Sequence, residues 1–330
     1  MYECRTPWLR HAGAVLLMCV MMSVQAQSPD FPARPITIVS PYSPGGSDIP
    51  VRMYMNWISG KYPKWIFVID YKPGAQGALA LGPVAKAPAD GYTLAHTSST
   101  LLLTDIMETR PAYSLEQFAP VFRFYATPQV LMMNTSVPAR SLSEVVSYAR
   151  ANPGKLNWAM VGIAGIQRLT AESVQDLLGV KFTFVPYKGN GNIGTAIMSG
   201  EVHITLQPPR NAQSMIKTGK VAALAHTGFS GFRSLQVPDI RSFAESGALT
   251  FENVSWTAVH APAGTPIARR SAINRMFNES LMDPEFEKAF LSSGDVPARN
   301  SIEEFEKFIE LQKSRLVGTA NRLGLKLSGD

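Results

Sequence analysis

The chain has 330 residues, of which 45% are hydrophobic and 17% are charged, so it can bury a core large enough for two domains and is not a disordered segment. Its formal net charge is +6, but Lys and Arg are scattered and never form a run of five or six, which argues against a nucleic-acid partner. A modest positive charge suits an anionic ligand.

The first 26 residues have the pattern of a secretory signal peptide. Arg5 and Arg10 supply a positive start, residues 12–22 are apolar, and a small-x-small cleavage site ends at Ala26. The apolar run is well short of the roughly 20 residues that a membrane-spanning helix needs. The sequence therefore predicts export, cleavage near Ala26 and a mature chain in the periplasm.

Both cysteines, Cys4 and Cys19, lie in this segment. The mature chain is therefore expected to have no disulfide, no thiolate nucleophile and no cysteine metal site. Lipidation of Cys19 is an open alternative, although Met18 is too large for the position before a lipidated cysteine and Cys19 lies inside the apolar run.

Short apolar or β-branched runs alternate with helical patterns along the rest of the chain. These runs are residues 36–39, 66–69, 92–95, 130–133, 158–161, 182–185, 202–206 and 222–225. Strands separated by helices are typical of an α/β fold with largely parallel sheets.

Four places carry helix start signals. Ser141-x-x-Glu144 and Ser301-x-x-Glu304 have the pattern of capping boxes. Thr265-Pro266 and Asp283-Pro284 each place an N-cap residue before a proline at the first helical position. We expect a helix to begin at each of these four places, with the aromatic side chains after Ser301 packed in the core.

Glycine-rich turns follow three of the predicted strands, at residues 44–47, 162–165 and 188–194, and the hydroxyl-rich stretch 96–100 follows another. A turn that feeds a helix presents unpaired backbone N–H groups and the positive end of the helix dipole, which suits a carboxylate or phosphate. One such turn is ordinary turn chemistry. Several in one α/β chain predict an anion-binding pocket.

Motifs of known enzyme classes are incomplete in this chain. Gly189-x-Gly191-x-x-Gly194 matches the dinucleotide fingerprint, but no acidic residue stands about 20 positions further on to hold a ribose. Ser214-x-x-Lys217 and Lys217-Thr218-Gly219 imitate penicillin-recognising motifs but share one lysine. The five histidines are too dispersed for a metal ligand set, and His203 is expected to be structural. We therefore expect no catalytic residue, no metal and no cofactor.

Several longer stretches form a recognisable set, among them "FPARPITIVSPYSPGGSDIPVR", "DYKPGAQGALALGPVAKAPADGYTL", "VPARSLSEVVSYARANPGKLNWA" and "VKFTFVPYKGNG". From about Phe31 to Leu327 the chain resembles the substrate-binding proteins of the tripartite tricarboxylate transporters, the Bug receptors. The resemblance implies a two-domain type II periplasmic binding fold, in which crossing strands form a hinge and one ligand lies in the cleft. By analogy residues 27–127 plus 252–330 form one domain and 128–251 the other, in a protein that is a monomer.

The resemblance also implies that backbone amides of both domains hold one ligand carboxylate. The expected contacts in the first domain are Ser43, Pro44, Gly45, Gly46, Ser47, Asp48, Thr97 and Ser98. Those in the second domain are Gly162, Ile163, Ala164, Gly165, Ile166, Lys188, Gly189, Asn190, Gly191 and Gln207.

Three departures from the family pattern bear on the ligand. The turn after the first strand is one residue shorter than usual, a polar family turn is here "MVGIAGIQR", and Gln207 stands where many members have Asp. Without that Asp an ammonium group lacks an anionic partner, so non-amino acids rank above aspartate or glutamate. The apolar turn and Trp158 favour an aromatic mono- or dicarboxylate, with Arg168 or Arg210 holding its distal group. The alternative is that these side chains face the domain core.

The function that the resemblance implies is that of a receptor. It would capture a small organic carboxylate between two lobes and deliver it to the large and small membrane subunits of a tripartite tricarboxylate transporter. A ligand sensor acting through a sensor kinase and an exported enzyme acting on a carboxylate are the two alternatives.

Overall fold

The computed structural model describes residues 31–45, 48–107, 111–161, 166–187, 190–228, 233–247, 254–292, 295–322 and 324. The predicted signal peptide lies outside the described residues. The chain divides into two units, Met1–Ala33 and Arg34–Asp330. In the first unit only residues 31–33 are described, with a cis peptide between Phe31 and Pro32. All the described helices and strands belong to the second unit.

Six strands form the first sheet. They are β1 (Ile36–Ser40), β2 (Phe67–Tyr71), β3 (Thr93–Ser98), β4 (Phe118–Pro128), β10 (Val254–Pro262) and β11 (Val296–Pro297). Their order across the sheet is β11-β4-β10-β3-β1-β2. Strand β1 runs parallel to β2 and β3, whereas β10 is antiparallel to β3 and β4, and β11 is antiparallel to β4.

Five strands form the second sheet. They are β5 (Val130–Asn134), β6 (Asn157–Val161), β7 (Thr183–Tyr187), β8 (Ile204–Gln207) and β9 (Val221–His226). Their order is β7-β6-β8-β5-β9. Strand β6 is parallel to β7 and β8, and β5 is antiparallel to β8 and β9. Both sheets are therefore mixed, because the strands near the chain crossings run against the parallel ones.

Ten α-helices are described, and most of them connect strands. They are α1 (Asp48–Lys61), α2 (Ala78–Ala85), α3 (Thr100–Met107), α4 (Leu142–Ala151), α5 (Ile166–Leu178), α6 (Asn190–Ser199), α7 (Pro209–Ile216), α8 (Ile267–Ser280), α9 (Pro284–Ser292) and α10 (Ile302–Arg322). Short 3₁₀ turns cover Ala75–Gly77 and Leu115–Gln117.

Three of the four predicted helix starts are confirmed. At α10 the Ser301 N–H donates to Glu304 Oε2 at 2.7 Å and the Glu304 N–H donates to Ser301 Oγ at 3.1 Å. Ser141 caps α4, and Asp283 accepts hydrogen bonds at the start of α9. The prediction for Thr265 was wrong, because Pro266 is the N-cap of α8 and the Thr265 hydroxyl instead donates to the Pro262 carbonyl at 2.7 Å.

The chain passes from the first sheet to the second at Gln129, the single residue between β4 and β5. The Gln129 N–H donates to Thr227 Oγ1 at 2.9 Å, and the Thr227 N–H donates to the Gln129 carbonyl at 2.9 Å. The crossing expected near Thr127 falls at this junction, and the return expected near Glu252 lies outside the described residues. The division into two discontinuous domains stays a prediction.

Each sheet has its own buried apolar cluster. In the first, Tyr54 of α1 packs edge-on against Phe122 and Phe277, with ring centroids 5.7 and 6.0 Å away. In the second, Trp158 lies 5.1 Å from Phe182 in a cluster with α4 and α5. A further cluster contains Leu169 of α5 together with apolar side chains of α3, β10 and α10. Helix α5 therefore packs against elements of the first sheet as well as its own.

Candidate functional site

Several parallel strands end in turns that lead into helices. The neighbouring strands β1 and β3 feed α1 and α3, so their turns share one edge of the first sheet. In the second sheet β6 stands between β7 and β8, and these three strands feed α5, α6 and α7. Ligands of open α/β sheets bind in crevices outside the carboxyl ends of strands. These two edges are therefore the candidate ligand-binding region.

A group of three hydroxyls occupies the edge of the first sheet. The Tyr42 hydroxyl donates to Ser98 Oγ at 2.7 Å, and Ser98 Oγ donates to Thr100 Oγ1 at 3.1 Å. The Thr100 N–H, at the first residue of α3, donates to Ser98 Oγ at 3.2 Å. Loss of water contact on burial raises the pKa of Tyr42 to about 12, so its hydroxyl stays protonated at neutral pH.

A cavity of about 190 Å³ opens beside these hydroxyls. Its lining residues come from the turn after β1, the segment around the 3₁₀ turn, α2, the end of β3, the start of α3 and Tyr113: Pro41, Tyr42, Gly74, Gly77, Leu81, Ser98, Thr100, Leu101 and Tyr113. Gly77 has φ +95° and would bring a Cβ to 3.3 Å from the Tyr113 hydroxyl oxygen, so a side chain there would crowd the cavity. The cavity is smaller than the 300–1,000 Å³ of typical ligand pockets and suits a small molecule.

Asp48 starts α1 at the same edge, and its carboxylate is buried. Its Oδ1 accepts from the Gly45 N–H at 2.9 Å, its Oδ2 accepts from the Tyr71 hydroxyl at 2.6 Å, and the Arg52 guanidinium lies 3.4 Å away. The Gly45 amide is therefore engaged within the protein. Ser43 and Pro44 are exposed on the same turn.

Thr97 is turned into the sheet rather than towards the cavity. Its hydroxyl lies 3.3 Å from the Ala258 carbonyl oxygen, to which it donates, and 2.8 Å from His260 Nδ1. His96 beside it is equally buried, with Nδ1 2.9 Å from Ser40 Oγ and its ring edge-on to Tyr42. Burial lowers the pKa of His96 to about 4 and that of His260 to about 3, so both are neutral.

Gln207 ends β8 at the edge of the second sheet and is fully buried. Its Oε1 accepts from Asn211 Nδ2 at 3.3 Å, whereas its Nε2 has no hydrogen-bond partner among the described residues. Burying an amide N–H₂ without a partner is costly. The amide is thus an available donor at this edge.

Tyr125 of β4 connects the two edges electrostatically. Burial is the main cause that raises its pKa, the Asp295 carboxylate raises it further and a hydrogen bond with Thr257 lowers it, while Tyr42 and the exposed Arg210 of α7 have smaller effects. Tyr42 from the first sheet and Arg210 from the second therefore both lie within electrostatic range of one tyrosine.

The family model for the "Tripartite tricarboxylate transporter family receptor" matches residues 63–325, which is most of the chain. The chain belongs to this receptor family. Protein BugT of Bordetella pertussis is 30% identical, with 90% of this chain and 91% of BugT covered. A protein from the tcbD-tcbE intergenic region of Pseudomonas sp. strain P51 is 30% identical, with 86% of this chain and 84% of that protein covered.

Solved structures of similar receptors support the same assignment. Rpa4515 of R. palustris, solved with adipate, has a TM-score of 0.78 and 27% identity, with 90% of this chain and 99% of that chain covered. MatC of Rhodopseudomonas palustris, solved with bound malate, has a TM-score of 0.71 and 27% identity, with 88% and 99% covered. BugD, at 24% identity and a TM-score of 0.73, shares the fold. The predicted periplasmic binding fold and family are confirmed.

Receptors of this family are periplasmic solute-binding proteins. None of the helices in the described ranges is long and apolar enough to cross a membrane. In the same ranges no three His, Cys, Asp or Glu side chains form a group that could hold a metal ion.

Several of the predicted receptor contacts fall on positions that the structure leaves undescribed. Gly46, Ser47, Gly162, Ile163, Ala164, Gly165, Lys188 and Gly189 lie outside the described residues. Ile166 and Asn190 begin α5 and α6, and Gly191 is exposed in the first turn of α6. The sites on these turns stay predictions.

Two side chains that supported an aromatic ligand lie elsewhere. Trp158 and Met160 point to the same face of β6 and are buried in the second-sheet cluster. The alternative, that they face the domain core, is therefore correct for these two. Arg168 forms an ion pair with Glu172, and its guanidinium carbon lies 4.3 Å from the centre of the Phe184 ring. It is already partnered within α5 and β7.

The sequence analysis does not predict three residues of the site. Tyr42 lies in a glycine-containing turn, and an aromatic residue between Pro41 and Pro44 is the signal in the sequence that indicates it. Thr100 ends the hydroxyl-rich stretch 96–100, in which the predicted contacts are Thr97 and Ser98. Tyr125 lies in β4, which was not predicted as a strand.

Proposed function

We propose that this receptor binds one small, non-amino organic carboxylate at the facing strand ends and leaves it chemically unchanged. The observation that carries the proposal is the small cavity beside the Tyr42–Ser98–Thr100 hydroxyls, at the carboxyl ends of β1 and β3. Neutral hydroxyl and amide donors suit a carboxylate, because hydrogen bonds to a charged group contribute about 1.5–3 kcal/mol each. The free amide of Gln207 supplies a donor from the second sheet.

The charges near the site favour an acid without an amino group. An ammonium needs an anionic partner once it is buried. Asp48 is the buried carboxylate of the first-sheet turn, and Gly45, Tyr71 and Arg52 already engage it. Gln207, at the end of β8, is neutral. Aspartate and glutamate therefore rank below dicarboxylates of similar length.

The cavity size and the relatives favour an aliphatic dicarboxylate. About 190 Å³ accommodates a short chain such as adipate or malate, the acids found in two similar receptors. The aromatic preference predicted from the sequence loses the support of Met160 and Trp158, which face the core. Phthalate and benzoate consequently rank second, and Arg210, exposed in the first turn of α7 after Gln207, is proposed to meet a distal carboxylate.

Calorimetric titration tests the ligand class. Adipate and malate are compared with phthalate, benzoate, citrate, aspartate and glutamate, and the acid is recovered afterwards for mass spectrometry. We expect one-to-one binding of an aliphatic dicarboxylate that is recovered intact. Tight binding of aspartate without a response to dicarboxylates would refute the ranking, and a transformed acid would indicate an enzyme.

The Tyr42→Phe variant tests the site. Removing the hydroxyl keeps the ring but takes away the donor that orients Ser98 Oγ and, through it, Thr100 Oγ1, so dicarboxylate binding is expected to weaken about tenfold or more. Tyr62→Phe is the matched control, because Tyr62 also donates its hydroxyl to a side chain, Glu279 Oε2 at 2.7 Å, but lies away from the cavity. Equal affinities in the two variants would place the ligand elsewhere.

Delivery to the membrane subunits of a tripartite tricarboxylate transporter is the final step of the proposal, and membership of the receptor family supports it. Cells that lack this protein should lose uptake of the bound acid and regain it when the protein is restored. Unchanged uptake together with a lost transcriptional response to the acid would favour the alternative, a sensor that signals through a kinase.

A further inference from the structure

A second and larger groove lies beside the chain crossing, on elements that do not line the cavity described above. Its volume is about 420 Å³. The groove takes side chains from the end of β4, the start of β10, β11 and α10, and its apolar surface includes Ala126, Pro128, Val254, Val296, Phe308 and Leu311. The volume lies within the range of ordinary ligand pockets.

Arg123 supplies a cation inside this groove. The side chain is half-buried, and its guanidinium carbon lies 4.1 Å from the centre of the Phe308 ring. Its Nε is buried and has no hydrogen-bond partner among the described residues. Burial lowers the pKa of Arg123 and Glu304 raises it, but Glu304 Oε2 already accepts the Ser301 N–H at the start of α10. The guanidinium remains charged, because arginine is not deprotonated in proteins.

Two further arginines line the groove. Arg299 lies 3.8 Å from Glu287 and donates to the Leu281 carbonyl, so it is held within the protein. Arg315 is exposed on α10, one turn after Leu311. The groove therefore combines an apolar wall with a cationic one, and burying the Arg123 charge without an acceptor is unfavourable.

We propose that this groove is a second ligand site, for a monocarboxylate with a medium-length apolar tail. The carboxylate accepts hydrogen bonds from the Arg123 guanidinium, and the tail packs on Val254, Phe308 and Leu311. Guanidinium–carboxylate hydrogen bonds are among the strong ones in proteins, and each CH₂ of the tail that leaves water for the apolar wall adds to the affinity. Because the groove spans the end of β4 and the start of β10, the occupant contacts both strands next to the crossing.

Titration with octanoate tests the site, with octanol as the uncharged counterpart of the same length. We expect saturable octanoate binding that weakens at least about tenfold in Arg123→Gln, because the head group loses its cation. Octanol is expected to bind weakly to the unsubstituted protein and equally weakly to Arg123→Gln.

Leu311→Glu guards against misfolding of the Arg123 variant. Leu311 is 49% exposed, so a carboxylate placed there should leave the fold intact, repel octanoate and weaken its binding about fivefold or more. Leu235→Glu is the control, since Leu235 is 65% exposed and does not line the groove. Octanoate binding that is equal in all of these proteins overturns the proposal, as does octanol binding as tight as that of octanoate. Loss of octanoate binding in Tyr42→Phe alone would place octanoate in the first cavity, and would leave the proposed function untouched.

Discussion

Asp48 is a buried carboxylate next to the turn where the ligand carboxylate is proposed to bind. Two like charges at one turn would repel each other. The structure avoids this by giving both Asp48 oxygens a donor and by placing Arg52 one helical turn further along α1. Asp48 therefore shapes the turn between β1 and α1 and is not itself a donor to an anion.

Replacing Asp48 with Asn should lower the free energy of unfolding by about 1–3 kcal/mol. The amide loses the charge at the positive end of α1 and the charge-assisted hydrogen bonds of Gly45 and Tyr71. Asp70→Asn is the control, because Asp70 makes a half-exposed ion pair with Lys72 and should change the free energy by less than about 1 kcal/mol. Urea denaturation measures the free energy of unfolding of both variants. Equal losses would show that the buried Asp48 carboxylate stabilises the fold no more than an exposed ion pair does.

His96 and His260 should make the folded state sensitive to mild acid. Their pKa values in the folded state, about 4 and 3, lie below the ordinary value of 6.5. Between the folded and the ordinary pKa values, the unfolded chain therefore binds more protons than the folded chain. Stability is therefore greatest above pH 6.5 and falls as the pH drops, by up to about 1.4 kcal/mol per pH unit for each histidine.

The double variant His96→Gln/His260→Gln isolates this effect. Between pH 7.5 and 5.0 it should lose about 2–4 kcal/mol less unfolding free energy than the unsubstituted protein, since two protonation sites of the unfolded state are removed. His203→Gln should have a smaller effect, because His203 is only partly buried and its Nδ1 accepts the Asn157 N–H at 2.9 Å. The same pH dependence in the double variant and the unsubstituted protein would contradict the assignment.

Helix α10 is stabilised by its N-cap residue, Ser301, which immediately precedes it. Ser301→Ala should lower the free energy of unfolding by about 1 kcal/mol, because Glu304 loses the oxygen that accepts its N–H. Ser292→Ala is the matched control. Ser292 is also exposed on a helix, but its hydroxyl only donates to the Lys288 carbonyl within α9. The free energy of unfolding of both variants is measured by chemical denaturation. Equal losses would show that the Ser301 cap does not stabilise α10.

The strands that the sequence predicted are those in which β-branched or aliphatic residues run without interruption, such as β1 and β5. Strands β4 and β10 were missed as elements. Strand β4 contains Arg123 among aromatic and proline positions, and β10 contains Trp256, His260 and Pro262. The partners of Arg123 and His260 come from distant parts of the chain. The resemblance gave expected positions for the crossings but did not predict these two long strands.

The site was harder to predict than the fold, and β6 shows why. Side chains alternate along a strand, and here Met160 belongs to one buried cluster and Ala159 to another. Because both faces of the second sheet are covered, alternation does not reveal which face meets ligand. The partners of Asp48 and Arg168 depend on rotamers and on neighbouring elements, which spacing in the sequence does not encode.

At the scale of the whole molecule, α5 links the two sheets. It starts at the carboxyl end of β6 in the second sheet, yet Leu169 belongs to the buried cluster of Leu102, Trp256 and Phe305. Val174, further along the same helix, lies in the second-sheet cluster. If the sheets belong to separately moving lobes, Leu169 stabilises the contact between the two lobes, whereas Val174 stabilises the core of the second-sheet lobe.

Leu169→Ala and Val174→Ala test that division. In a single rigid core the leucine truncation would cost about 2–5 kcal/mol, more than the valine truncation, which removes fewer carbons. If the two sheets belong to separate lobes, we expect Val174→Ala to be the more destabilising variant. Leu169→Ala should enlarge the radius of gyration in X-ray scattering and cost less unfolding free energy in urea. Val174→Ala should leave the radius unchanged and cost about 2 kcal/mol. If Leu169→Ala were the more destabilising variant and the scattering did not change, α5 would be part of one continuous core and the chain crossing at Gln129 would not act as a hinge.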